Sequence, residues 1–409
     1  MRSVAALPKA HLHLHLTGAM RHSTMLELAR EHGVSLPPAL SQDAPPELST
    51  VDERGWFRFQ RLYDVARSVL RRPADVYRLL REIAEDEAAD GSGWLEIQAD
   101  PSGFAARFGG ITAFTELLLD ATAQAQAATG VGIAVIIAAN RTRHPMDARA
   151  LARLAAQFAG RGVVGFGLSN DERRGPAEEF SRAFRIAERA GLILVPHGGE
   201  LCGPSSVSAC LDDLHASRVG HGVHAAQDPG LVERLATAGI ACEICPASNV
   251  SLGVYATVKE VPLRTLFDAG VPVALGADDP LLFGSRLAAQ YELARTEHCF
   301  SDAELADLAR MSIQASTAPP PVRARLLADV DQWLASLLLS ETALAIPQPP
   351  PPPPRRCALG ASRRRWCAIG TNCNLGWCRC AAGAKWVAGR SGARARARDE
   401  QSWLESDAY

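Results

Sequence analysis

Eight short β-type runs, each followed by a stretch with helical spacing of its apolar residues, leave this chain few folds to choose from. The runs occupy residues 11–16, 94–99, 133–138, 163–168, 192–196, 218–221, 241–245 and 271–275. Between them, segments such as 148–158, 180–189 and 231–238 read as amphipathic helices, with apolar residues three and four apart. Eight βα units in about 330 residues match an α/β fold, the (β/α)8 TIM-type barrel with insertions. A doubly wound open sheet is the rival, but its usual Gly-rich phosphate loop after the first strand is missing here. One insertion stands out after the first strand. A Pro/Ser-rich loop over 35–49 leads into Trp56-Phe57-Arg58-Phe59-Gln60-Arg61-Leu62-Tyr63, the start of a helix dense in aromatics. Such a helix either packs on its neighbour or forms a lid over a flat ligand at the barrel mouth.

The pattern stops near residue 340, and the composition changes with it. The expected organisation is a barrel over 1–340, a Pro-rich linker over 341–354 containing six consecutive prolines, and a basic tail over 355–409. The tail holds 11 basic and four acidic residues, against 32 and 41 in the preceding chain, and it carries four of the seven Trp and five of the ten Cys. Ser362-Arg363-Arg364-Arg365 and the Ala-Arg alternation over 393–398 have the chemistry of a nucleic-acid contact. Cys367, Cys373, Cys378 and Cys380 fit no paired zinc framework, and no His follows His298. With 40 Arg and only three Lys, the chain has the usage of a GC-rich coding sequence, so we expect the tail to be disordered or a frameshifted translation. No apolar run approaches a membrane span, and the N-terminus lacks the apolar core of a signal peptide. The expectation is a cytoplasmic protein without disulfides, membrane contact or nucleic-acid partner.

The chemistry begins in His11-Leu12-His13-Leu14-His15-Leu16. In a strand, alternate side chains share a face, so three imidazoles point into the barrel and three leucines toward the helices. Buried imidazoles need hydrogen bonds or a metal. His13 and His15 lie nearest the C-terminal end of the strand, where barrel active sites lie, and form the natural ligand pair; His11 is expected to be structural. His197-Gly198-Gly199-Glu200, Gly220-His221-Gly222 and Gly276-Ala277-Asp278-Asp279-Pro280 end the fifth, sixth and eighth runs, each with small residues that open space. Polar groups in register at four strand ends suit zinc, with water in a further position. The fourth run, Val163-Val164-Gly165-Phe166-Gly167-Leu168, has no lysine to bridge two metals, so one ion is expected.

Taken in order, Leu7-Pro8-Lys9-Ala10-His11-Leu12-His13-Leu14-His15, His197-Gly198-Gly199-Glu200, Gly220-His221-Gly222, Cys245-Pro246-Ala247-Ser248-Asn249 and Asp278-Asp279-Pro280 resemble the motifs of the adenosine deaminases. The resemblance spans residues 7 to about 335 and includes no part of the tail. It implies one Zn2+ held by His13, His15, His197 and Asp278, lowering the pKa of a bound water from about 15.7 to roughly 7. It also implies that Glu200 protonates purine N1, that His221 takes the proton of the attacking water, and that Asp279 bonds N7, with ammonia leaving C6. A carboxyl donor of this kind needs a raised pKa.

The sequence departs from the family where the sugar is read. Thr17 stands where many members have Asp, and Asn170 where the family has a glycine against the base. The expected substrate is therefore adenosine or 2'-deoxyadenosine, in purine salvage, with adenine or a 5'-modified adenosine such as aminodeoxyfutalosine as the alternative. Two other classes compete. A barrel cleaving amides or esters would leave Glu200 and Asp279 without a shared purpose. A non-catalytic nucleoside- or nucleic-acid-binding protein would depend on the basic tail. Cys242 and Cys245 have the spacing of a redox pair but sit in an expected buried strand, where a catalytic thiol is not expected.

Overall fold

A computed structural model describes residues 1–50 and 52–344. The linker from residue 345 onward, the basic tail with its cysteines, and the frameshift expectation lie outside the described residues.

The eight expected strands all form. They are β1 (Lys9–His15), β2 (Ser92–Ala99), β3 (Gly132–Asn140), β4 (Val163–Ser169), β5 (Ile193–Gly198), β6 (Arg218–His221), β7 (Ala241–Ile244) and β8 (Val273–Leu275). They pair in parallel, in sequence order from β1 to β8. β3 is apolar along nearly its whole length and almost entirely buried, because a parallel strand under helices has no face left for water. The helices expected within 148–158, 180–189 and 231–238 appear as Pro145–Gln157, Ser181–Arg189 and Pro229–Ala238.

The sheet closes between β8 and β1. His15 donates its backbone N–H to the Asp278 carbonyl and Asp278 donates to that of His13, each at 3.0 Å. The result is a (β/α)8 barrel, as the pattern implied. The final helix, Pro320–Leu344, runs through the boundary drawn after residue 340.

Strict alternation along β1 does not hold. A bulge between His11 and Leu14 puts an extra residue into this strand, and an inserted residue reverses the facing of what precedes it. His11 therefore does not join the other two imidazoles. Its Nε2 accepts the Ala277 N–H at 3.0 Å, so its Nδ1 carries the proton and donates to Glu87 at 2.8 Å. Its expected structural role agrees with this pairing.

The insertion between β1 and β2 contains the aromatic helix, Glu53–Ser68, started by an Asp52 cap that accepts from Gly55 N–H at 2.7 Å. It does both things expected of it. Trp56, Phe59, Leu62 and Ala66 are buried, with Phe59 stacked on Phe283 at 5.8 Å between centroids. The same helix also roofs a cavity at the C-terminal end of the barrel through Trp56, Gln60 and Tyr63. No described helix is long and apolar enough to cross a membrane.

Candidate active site

The cavity has a volume of about 610 Å³ and lies where the strands end. His15, His197, Glu200, His221, Asp278 and Asp279 form its floor, brought from β1, β5, β6 and the segment after β8. Two floor residues, His221 (φ 54°) and Asp278 (φ 60°), take left-handed backbone conformations that non-glycine residues seldom adopt. Strain of this kind persists where surrounding contacts over-determine it, and it gathers at functional sites.

The donor atoms converge. His15 Nε2 lies 3.2 Å from Asp278 Oδ1 and 3.3 Å from His197 Nε2, while His13 Nε2 lies 3.7 Å from Asp278 Oδ1. Donors that each lie about 2.0–2.2 Å from one zinc ion stand roughly 3–4 Å from their neighbours, so the spacing fits a shared ion. His13 Nε2 is fully buried and has no hydrogen-bond partner, a costly arrangement unless it serves as a ligand. Gly276 makes the approach possible, since a Cβ there would sit 2.6 Å from that of His13.

Buried partners orient these donors. Glu243, which burial alone would push up, is held below the usual carboxylate range by Arg218 and His13, so it is ionised. It accepts from His13 Nδ1 at 2.8 Å, which fixes the tautomer and leaves the Nε2 lone pair free. Arg218 donates to Glu243 at 2.7 Å, also to Glu96, and to the Ala315 carbonyl at 2.8 Å. Ser248 donates to the second oxygen of Asp278 at 2.6 Å. Arg141 donates to the His197 carbonyl at 2.6 Å.

The sequence reading missed Glu243, Arg218 and Glu96. Their signal was a charged residue inside an otherwise apolar strand, which demands a partner without naming it. The Cys242 and Cys245 thiols flanking Glu243 are buried and pushed up by that burial, and all five described cysteines are free. A redox role finds no support in that setting.

Proton affinities divide the remaining groups. Burial pushes the Glu200 carboxyl well above its ordinary range, with Asp278, Glu172 and Asp279 adding to the effect. Burial likewise lifts Asp279 to about 8, reinforced by Asp278. His221 falls to about 3, through burial and then the neighbouring His13. Asp278 stays low, because bonding and charge from His15 outweigh its burial. Glu200 Oε1 and His221 Nε2 are 3.5 Å apart. The floor thus presents two neutral carboxyls able to donate and one neutral imidazole able to accept.

The expected substrate contacts are placed as follows. Asp279 is buried at the floor, with Oδ1 unpartnered, against Gly18; a Cβ on Gly18 would fall 1.7 Å from that oxygen. Thr17 is buried beside Tyr63 of the roof helix, and its hydroxyl has no hydrogen-bond partner. Asn170 lines the cavity, but its side chain is engaged: Oδ1 accepts from Trp56 Nε1 and Nδ2 donates to Gln60, each at 2.9 Å. It ties the roof helix down.

Comparison with known proteins gives a consistent picture. The family model for adenosine deaminase matches residues 8–333. A putative adenosine/adenine deaminase of Streptomyces virginiae is 65% identical over 333 residues, covering 81% of this chain and 98% of the relative. An adenine deaminase of Rhizobium leguminosarum bv. trifolii is 35% identical over 323 residues, covering 79% of this chain and 98% of the relative. Among solved structures, an amidohydrolase from Burkholderia ambifaria with bound zinc superposes with a TM-score of 0.72 at 25% identity, covering 82% of this chain and 94% of that one.

Proposed function

The chain belongs to the adenosine deaminase family, and from that premise we propose that it hydrolyses the exocyclic amine of a 6-aminopurine, adenine ahead of adenosine, in cytoplasmic purine salvage. One observation carries the reading. Four donor atoms of His13, His15, His197 and Asp278, with neighbouring pairs 3.2–3.7 Å apart, adjoin a neutral Glu200 that faces His221.

A single zinc ion bound by His13, His15, His197 and Asp278 would supply Lewis-acid activation of the attacking water. Glu200, whose carboxyl burial pushes well above its ordinary range, gives its proton to purine N1, which draws electron density from C6. His221, held neutral by burial, accepts a proton from the water as its oxygen bonds to C6, and returns it to the departing amine. Ammonia leaves as the C6 carbonyl forms, and the proton of the C6 hydroxyl passes to the Glu200 carboxylate, which restores the acid. The neutral Asp279 carboxyl donates to N7, which fixes the ring against the floor. Burial of Glu200 and His221 beneath the roof helix keeps both from equilibrating freely with bulk water.

Adenine is placed first because the groups beyond the base do not offer what a ribose needs. Thr17 is uncharged where many members of the family have Asp, and the Asn170 amide is committed to Trp56 and Gln60. A second reading, adenosine or a 5'-modified adenosine, is favoured by the volume, since about 610 Å³ exceeds what a bare purine fills. The test is an absorbance assay on adenine, adenosine and aminodeoxyfutalosine, with and without chelator. Glu200→Gln should keep the metal and lose about 10²–10⁴ in turnover; His197→Ala should lose both. A fully active Glu200→Gln variant would refute the proton-donor assignment.

A further inference from the structure

A carboxylate that is not a metal donor and does not line the cavity lies behind Glu200. Glu172, buried in the loop after β4, receives four consecutive backbone N–H groups. Gly199 donates to its Oε1 at 2.5 Å; Glu200, Leu201 and Cys202 donate to its Oε2 at 2.9, 2.6 and 2.9 Å. The Ser206 hydroxyl adds a fifth bond to Oε1. Five donors on one buried carboxylate form an anion-binding concavity of backbone amides, filled by the protein's own side chain.

These four residues are the turn that carries Glu200 from the end of β5 toward the cavity. The turn has few other anchors. Gly199 has φ 65° and its carbonyl accepts from His224 N–H and Nδ1, both at 3.0 Å, while no described hydrogen bond ties the amides of 200–202 to anything except Glu172. Among the described residues, nothing but this carboxylate gathers those amides.

We infer that Glu172 is a positioning residue for Glu200: its carboxylate sets the 199–202 turn so that the Glu200 carboxyl faces His221 and the purine edge. This rests on the aminohydrolase reading for its kinetic consequence and on geometry alone for its structural one. Glu172→Gln puts an amide NH2 against backbone donors on one side or the other, so the turn must shift. A displacement of about 1 Å at a reacting group costs on the order of 10²-fold in rate.

The experiment uses full-length, zinc-loaded enzyme. Glu172→Gln is expected to lower kcat about 10²-fold with KM and zinc content little changed, while Glu172→Asp, still anionic but shorter, recovers part of the loss. Acting through Glu200, the substitution should cost less than about twofold when added to Glu200→Gln. A merely structural residue would multiply its full effect into that background, and this result overturns the inference, as does a wild-type kcat in Glu172→Gln. If Glu172→Gln does not fold, Ser206→Ala removes one bond and should show a smaller loss with the same lack of multiplicativity. A crystal structure of Glu172→Gln supplies the second readout. The 3.5 Å separation of Glu200 Oε1 and His221 Nε2 should open while His197 and Asp278 stay in place. An unchanged separation overturns the positioning role, even if the wild-type enzyme proves inactive on every purine, which would refute the aminohydrolase reading alone.

Discussion

Replacing Glu243 by Gln changes no atom that touches substrate, yet it should be felt at the metal. Glu243 takes two charge-assisted bonds, from His13 Nδ1 at 2.8 Å and from Arg218 at 2.7 Å. A glutamine offers one carbonyl oxygen, so it can satisfy one donor while its NH2 faces the other. The lost charge-assisted bond is worth about 1.5–3 kcal/mol. Carboxylates behind ligand histidines typically control 10–100-fold in metal affinity, or about 1.4–2.7 kcal/mol, and the two figures agree. Folding should suffer less than the roughly 3–5 kcal/mol of a broken buried pair, because Arg218 keeps Glu96 and the Ala315 carbonyl. Zinc competition against a fluorescent chelator at neutral pH measures the affinity, and thermal melts of the chelated protein measure the folding term. Wild-type zinc affinity in Glu243→Gln would refute the claim that this carboxylate sets the His13 tautomer.

Three further outcomes can be checked. Gly18→Ala should push Asp279 from its place, raising KM for the purine by about tenfold or more while zinc content holds, as measured by steady-state kinetics and metal analysis. The Glu87 and Glu243 carboxylates are held below their ordinary 4.5, so the stability they contribute is complete above that pH and is lost as the pH falls below it. Denaturant midpoints of wild type and Glu87→Gln should therefore differ most near neutrality and converge in acid; a constant gap would contradict the sign. Removal of residues 348–409 should leave kcat/KM unchanged, since every group of the site lies at or before Asp279; loss of activity would favour a reading in which the tail acts.

Strand order and the clustering of His13, His15, His197 and Asp278 were legible in the sequence for one reason. A barrel puts its chemistry where apolar runs end, and His13, His15, His197, His221 and Asp278 all mark such ends or lie just inside them. Illegible features depend on what faces what across the barrel. His11 follows the same alternation as His13 and was separated from it only by a bulge. Glu243, Arg218 and Glu96 come from three strands, and nothing local announces that their charges meet. Asn170 lines the cavity as its place in the family motif implied, but nothing local announces that the roof helix, more than 100 residues earlier, engages its amide. Glu172 looked like one more acidic loop residue, because its partners are backbone N–H groups, which have no sequence signature.

The joint between the last strand and the first is made by His13, His15 and Asp278, three of the four residues whose donor atoms converge. His13 and His15 supply a carbonyl and an amide to Asp278, and His11 Nε2 accepts the neighbouring Ala277 N–H across the same edge. An ion held by these three side chains would clamp the edge as well, so that metal loading and barrel closure would be one linked equilibrium. Loss of that ion would loosen the seam of the barrel along with the chemistry.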